Sequence, residues 1–194
     1  MLNDTNKICQ VWNQKDALEQ TLLAGLHGGP EIKKEEKQAY LGVFREQVIA
    51  FLTQDQVKEA ALYPEIAEAL EHGKFQKLII NSSLAAYYTN KYQALAREKN
   101  KAYTMVADAD CARAAGLVVA GSEAVDLQDI AVDDRRLRLQ KLGVSEKLIA
   151  SAGKKICETC LNSILSLDPR EAINYSGLTW LDRLTGERCP AHQD

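Results

Sequence analysis

The apolar positions along the chain change period several times, and each change marks an element. From Lys15 to His27, leucines recur every four residues at Leu18, Leu22 and Leu26, with Leu23 beside them. That spacing predicts an amphipathic helix. Gly28, Gly29 and Pro30 stop it, and the charged run at 31–37 reads as a solvated connector. Gln47–Thr53 is a short apolar run with β-branched and aromatic residues, which suits a buried strand. Phe44, Val48 and Phe51 or Leu52 would also fit one helical face, but the strand is preferred. Residues 56–72 read as helical, with Pro64 at the first turn of a second part and Ile66, Ala67 and Leu70 forming one stripe before Gly73.

Phe75–Asn81 is the clearest strand. Ser82 or Ser83 then caps a helix that runs to Lys99, with Leu84, Tyr88, Tyr92 and Leu95 on its buried face and Asn100 as its end. Ala102–Ala107 is a third strand. Asp108 and Asp110 cap a short turn closed by Gly116, and Leu117–Ala120 is a fourth strand. Beyond residue 131 there is no strand signal; helices are expected near 132–142, 145–166 and 170–185, the last with Asp168 as cap and Pro169 at its first position. The fold class is therefore α/β (α+β): a mixed four-stranded sheet in β-α-β-α-β-β order. The expected divisions are residues 1–39 (N-terminal helix and connector), 40–130 (core) and 131–194 (a helical C-terminal extension).

Three stretches carry a family resemblance: LHGGPEIKKEEKQAYLGVFREQVIAFLT, KLIINSSLAAYYTNKYQALAREKNKAYTMV and GLVVAGSEAVD. Over about residues 15–127 the chain resembles the YueI-like family of bacterial proteins, and YLGVFREQV is the most family-specific piece. The resemblance implies a fold of the kind seen in Bacillus chorismate mutase, in agreement with the strand order above. It implies no catalytic residues, because the family has no established biochemical function. The strand–helix–strand of 75–107 is also similar to ribosomal proteins that recognise kinked RNA. Their Gly-Asn-Glu stretch is replaced here by TQDQVKEAAL, so that likeness stays at the level of fold.

Composition narrows the classes. The net charge is −3, so no broad basic field for nucleic acid exists. No uncharged apolar stretch approaches the ~18 residues of a membrane span, and the N-terminus has no signal-peptide pattern. Five cysteines, an odd number, fit reduced thiols in the cytoplasm.

Those cysteines hold the strongest chemistry. Cys157-x-x-Cys160 and Cys189-x-x-His192 supply three sulfurs and an imidazole as two close pairs, the ligand set of a structural zinc site. A helical hairpin would bring the pairs together, in a context helical on both sides. Two other readings stay open: unligated thiols, and a redox Cys-x-x-Cys, which a position opening a helix after a strand would favour. Asp108, Asp110 and Cys111 read as caps and a packed thiol rather than catalysts. Arg135, Arg136, Arg138 and Lys141 read as the wet face of a helix docked by Leu137, Leu139 and Leu142. His27 and His72 mark helix ends, and Tyr87, Tyr88 and Tyr92 read as packing. No phosphate-binding glycine loop, nucleophile elbow or HExxH is present.

The expectation is a cytoplasmic, non-enzymatic module that binds a protein partner, with no membrane and no specific nucleic acid. An RNA-associated protein and a small-molecule enzyme using Ser82 and Asp108 are the alternatives.

Overall fold

The computed structural model describes residues 34–107 and 115–192, apart from the side chains of residues 34 and 35. The helix expected at 15–27, with His27, and the cluster Asp108, Asp110 and Cys111 lie outside the described residues.

Four strands form one sheet: β1 (Val48–Leu52), β2 (Phe75–Asn81), β3 (Tyr103–Val106) and β4 (Leu117–Gly121). Their order is β1-β4-β2-β3, with β4 antiparallel to both neighbours and β2 parallel to β3. The sheet is therefore mixed, and its strands follow the expected β-α-β-α-β-β order. Both faces are covered: Leu52, Leu78, Ile80, Leu117 and Val119 pack on one side, and Val48, Ile79, Val118 and Ala120 on the other. That double burial explains why the strands read as continuous apolar runs rather than alternating ones. The outer edge of β1 is occupied as well, since Phe51 N–H donates to the Ile130 carbonyl and Val132 N–H to that of Phe51.

The helices depart from expectation in several places. The charged run at 31–37 is not wholly connector; α1 spans Lys34–Ala39. Among the described residues one long helix crosses the sheet region, α4 (Ala86–Glu98). The segment expected as helical over 56–72, with a second part from Pro64, is two short helices, α2 (Gln54–Lys58) and α3 (Pro64–Ala69), separated by a non-helical stretch and the second opening on Pro64 as expected. The Thr53–Gln56 capping box opens α2, and the residue before proline favours extended backbone, so the chain breaks between them. Ser82 and Ser83 do not cap α4. Its N-cap is Ala85, and Asn81 captures Ser83 through both N–H and Oγ. Asn100 does end α4, in the left-handed region at φ 53°, with Lys101 N–H closing back on the Ala96 carbonyl.

Past residue 131 the expected long helices are broken. α5 is Arg135–Lys141 and α6 is Glu146–Ile149. Gly153, at φ 78°, turns the chain out of helix into β5 (Lys155–Ile156). α7 (Glu158–Leu167) follows, then a 3-10 turn Pro169–Ile173 capped by Asp168 as expected. β6 (Ser176–Gly177) pairs in parallel with β5, and α8 is only Trp180–Leu184. The extension thus contains a small sheet that its sequence does not announce, since two-residue strands carry no periodicity.

The basic helix α5 also reverses the expectation. Leu137 and Leu142 are exposed, while Leu139 and Arg135 are buried. The Arg135 guanidinium grips the Glu171 carboxylate through Nε and Nη2 and donates to the Tyr175 hydroxyl at 3.0 Å. Arg138 joins Glu171 to Glu65 of α3 and to Asp168. Asn174 completes the junction, accepting from Leu62 N–H at 2.7 Å and donating to the Leu62 carbonyl at 2.8 Å. A buried ion network, rather than leucines alone, seats the extension on the sheet region.

Candidate metal centre

Local turns build the site. Cys157 is the N-cap of α7, and its carbonyl accepts from Leu161 N–H at 2.9 Å. Cys160 lies three residues on, in the first turn, and so shares a face with Cys157. The opposing pair arrives by a second turn. α8 gives way after its C-cap Thr185 to Gly186, at φ 88°, with Glu187 N–H bonded to the Asp182 carbonyl. That left-handed step throws the chain back toward α7. A final 3-10 turn, Pro190–His192, sets His192 one turn past Cys189, with His192 N–H on the Cys189 carbonyl at 3.1 Å.

Ligand atoms of Cys157, Cys160, Cys189 and His192 all lie within 4.8 Å of one another. The Cys160 and Cys189 sulfurs are 3.9 Å apart, His192 Nδ1 stands 3.7 Å from Cys157 Sγ, and His192 Nε2 stands 3.5 Å from Cys160 Sγ. A tetrahedron of three sulfurs and one nitrogen, with metal–sulfur bonds of ~2.3 Å and a metal–nitrogen bond of ~2.0 Å, has edges of about 3.5–3.8 Å. The donor set suits one metal ion in chemistry, and its widest separation, 4.8 Å, lies about 1 Å beyond the longest tetrahedral edge, so the cluster would have to tighten around the ion. Cys160 and Cys189 are nearly buried, Cys157 is half-buried and His192 is exposed.

The thiols are inequivalent. Burial pushes the Cys160 thiol up to about 12, reinforced by the neighbouring Cys157 and Cys189 sulfurs. Burial also opposes ionisation of Cys189, but hydrogen bonds from the backbone N–H groups of Cys157 and Ala191 and from the Cys157 and Cys160 thiols together hold that pKa below the usual thiol range. Beside the cluster opens a hollow of about 680 Å³ lined by Cys157, Leu178, Arg183, Glu187, Arg188, Cys189 and His192.

The sequence pairs are therefore brought together, but not by the expected hairpin. The Cys-x-x-Cys is not helical on both sides: it follows β5 and opens α7, a placement that suits a redox pair as well as a metal. A bare redox pair gives no reason for Cys189 and His192 to stand at ligand distance. Sequence reasoning missed Arg183 and Arg188 at the hollow, and the exposure of Trp180, Leu181 and Leu184. Elsewhere, Ser82 is exposed, Tyr92 is fully buried, Tyr88 is half-buried and Tyr87 is exposed. His72 Nδ1 accepts from Lys74 N–H at 3.2 Å. Among the described residues no helix is long and apolar enough to cross a membrane.

Fold and site together define a small mixed-sheet α/β protein carrying a thiol–imidazole cluster on a C-terminal extension. Residues 15–131 match the family described as "Protein of unknown function (DUF1694)", and the chain belongs to that family. It is similar to the "Uncharacterized protein YueI" of Bacillus subtilis (strain 168), with 28% identity over 120 residues, 62% of this chain and 91% of that protein. The crystal structure of that YueI protein matches with a TM-score of 0.50, over 62% of this chain and 94% of the other. The match to the family ends at residue 131, so all four cluster residues lie beyond it.

Proposed function

We propose that this protein is a cytoplasmic, non-enzymatic module that binds a protein partner, and that one structural zinc ion staples its C-terminal extension. The observation that carries the reading is the set of four ligand atoms within 4.8 Å. Cys157, Cys160, Cys189 and His192 fill all four positions of a tetrahedral ion, which leaves none for substrate and makes the role structural. Thiolate ligands persist in a reducing compartment, which is why the cytoplasm is the proposed location. The exposed side chains of Trp180, Leu181 and Leu184 gather on the short helix next to the cluster and support the partner-binding part of the reading.

Metal analysis of the full chain, purified without chelator, tests the staple. One zinc per chain is expected, lost in the Cys157→Ser and Cys189→Ser variants; a wild-type chain without bound metal sinks it. Cross-linking in native lysate, with nuclease treatment as control, tests the partner. Capture lost in Trp180→Ala/Leu184→Ala supports a protein partner; capture abolished by nuclease favours the RNA alternative.

A further inference from the structure

The four ligands are unequally protected. Cys160 and Cys189 are 9% and 8% exposed, and Cys160 does not border the hollow. Cys157 is half-buried and lines the hollow together with the exposed His192. A solvent-borne reagent therefore meets the Cys157 sulfur first. Arg183 and Arg188 line the same hollow, and neither has an ion-pair partner among the described residues. Their positive charge would stabilise an anion leaving at that point. Cys157 opens a helix directly after a strand, and Cys160 follows it within one turn of that helix.

We propose that Cys157 is an oxidation site and Cys160 its resolving thiol, so that a peroxide converts the metal-bound cluster into a Cys157–Cys160 disulfide. This rests on the zinc reading above. The Cys157 thiolate attacks one oxygen of hydrogen peroxide; the O–O bond breaks, and the leaving hydroxide takes a solvent proton to become water. Cys157 is then a sulfenic acid. The Cys160 thiolate attacks its sulfur; the S–S bond forms, the S–O bond breaks, and the second hydroxide is protonated to water. Two thiolates have given up two electrons, one peroxide has become two waters with two protons from solvent, and Zn²⁺ leaves after losing two ligands. Cys160 resolves rather than Cys189 because it shares a helix with Cys157. Cys189 reaches the cluster from a separate turn, 29 residues further along the chain than Cys160, so it is the poorer partner.

The test uses the full-length zinc-loaded chain carrying Cys9→Ser and Cys111→Ser, treated with stoichiometric hydrogen peroxide. Zinc release is followed with a chromogenic chelator and disulfides by peptide mass spectrometry. The expected result is loss of the bound zinc together with a Cys157–Cys160 disulfide, both reversed by dithiothreitol and zinc. Cys157→His keeps four ligands and should hold its zinc through the same treatment. In the parent, zinc retained under peroxide, or a disulfide that omits Cys157 or Cys160, overturns the inference while leaving the staple standing. Should Cys157→His fail to load zinc, the wild-type disulfide map still decides the matter. A wild-type chain that never held zinc would instead defeat the staple itself.

Discussion

The sheet region and the C-terminal extension are held together by different means. In the sheet, the buried groups are nearly all aliphatic or aromatic, from Val48 and Leu52 through Leu78 and Ile80 to Leu117 and Val119. The extension has a smaller apolar cluster, centred on Leu139, Ile149, Ile156 and Ile164. It adds buried Arg135, Asp168, Glu171, Asn174 and Asp182. A short segment exposes much of its surface and buries little, so packing alone leaves it marginal. Polar staples then take over: an ion network at the junction and, on the reading above, a metal at the far end. Such staples are conditional, because each fails when one member is removed, whereas an apolar core degrades by small steps.

Withdrawal of metal should separate the two regions most sharply. Structural zinc contributes about 10–16 kcal/mol in small peptide folds, and that energy is folding energy. A chelator should abolish hydrogen-exchange protection over residues 153–192 and spare β1 to β4. Equal protection with and without chelator would remove the metal from the comparison.

The junction network comes next. Glu171 is fully buried and meets Arg135, Arg138 and Asn174. Glu171→Ala leaves Arg135 charged and unpaired in the interior, a loss of about 3–5 kcal/mol. Denaturant unfolding should show it. The double replacement Arg135→Met/Glu171→Leu should recover most of the loss, as expected if the pair serves registry more than net stability. A Glu171→Ala effect below ~1 kcal/mol would mean the network is wetter than its burial implies.

A third change probes the apolar region. A Cβ on Gly116 would lie 2.8 Å from both Gln54 Cα and the Thr53 carbonyl oxygen. Both are backbone atoms beneath the capping box, so neither can swing aside. Gly116→Ala should cost about 1–3 kcal/mol, read as a lower denaturation midpoint with zinc still bound.

What could be read from the chain follows the same division. β2 and β4 are legible because buried strands are written as Leu-Ile-Ile and Leu-Val-Val, and Asn100 marks a helix end because it tolerates a left-handed backbone. The α4 cap is misread because the Ser83 hydroxyl and N–H go to Asn81 two residues earlier, a local side-chain turn that competes with capping. In the extension, the lack of strand signal and the Asp168–Pro169 start suggest helices at 145–166 and 170–185, but Gly153 and the Leu178 N–H bond to Ile156 cut them short. Arg135 resembles any surface arginine until Glu171, 36 residues later, is seen to need it. The ligand pairs are legible by spacing alone, because each needs only one local turn; how those turns meet depends on β5, β6 and Gly186, which carry almost no pattern.

The smallest effect concerns charge at the surface of the sheet region. Glu71 accepts from Lys99 Nζ at 2.9 Å and also pairs with Lys101 at 3.0 Å. The Lys99 ammonium, followed by that of Lys101, holds its carboxyl below the usual range. A carboxyl depressed on folding stabilises the protein above its unfolded pKa, about 4.3, and loses that contribution as pH falls through the lower folded value. Wild type should therefore be slightly more stable than Glu71→Gln near neutral pH, and the difference should fade as the pH falls below the unfolded value and through the lower folded one. The group is solvated, so about 1 M salt, with a screening length of ~3 Å, should nearly erase the difference at neutral pH. The Glu171→Ala effect, from a carboxylate sealed from water, should survive the same salt. Stability curves for both variants at low and high salt measure this directly. A Glu71 contribution that resists salt, or a Glu171 contribution that salt removes, would undo the distinction between surface pairs on the sheet and the buried network at the junction.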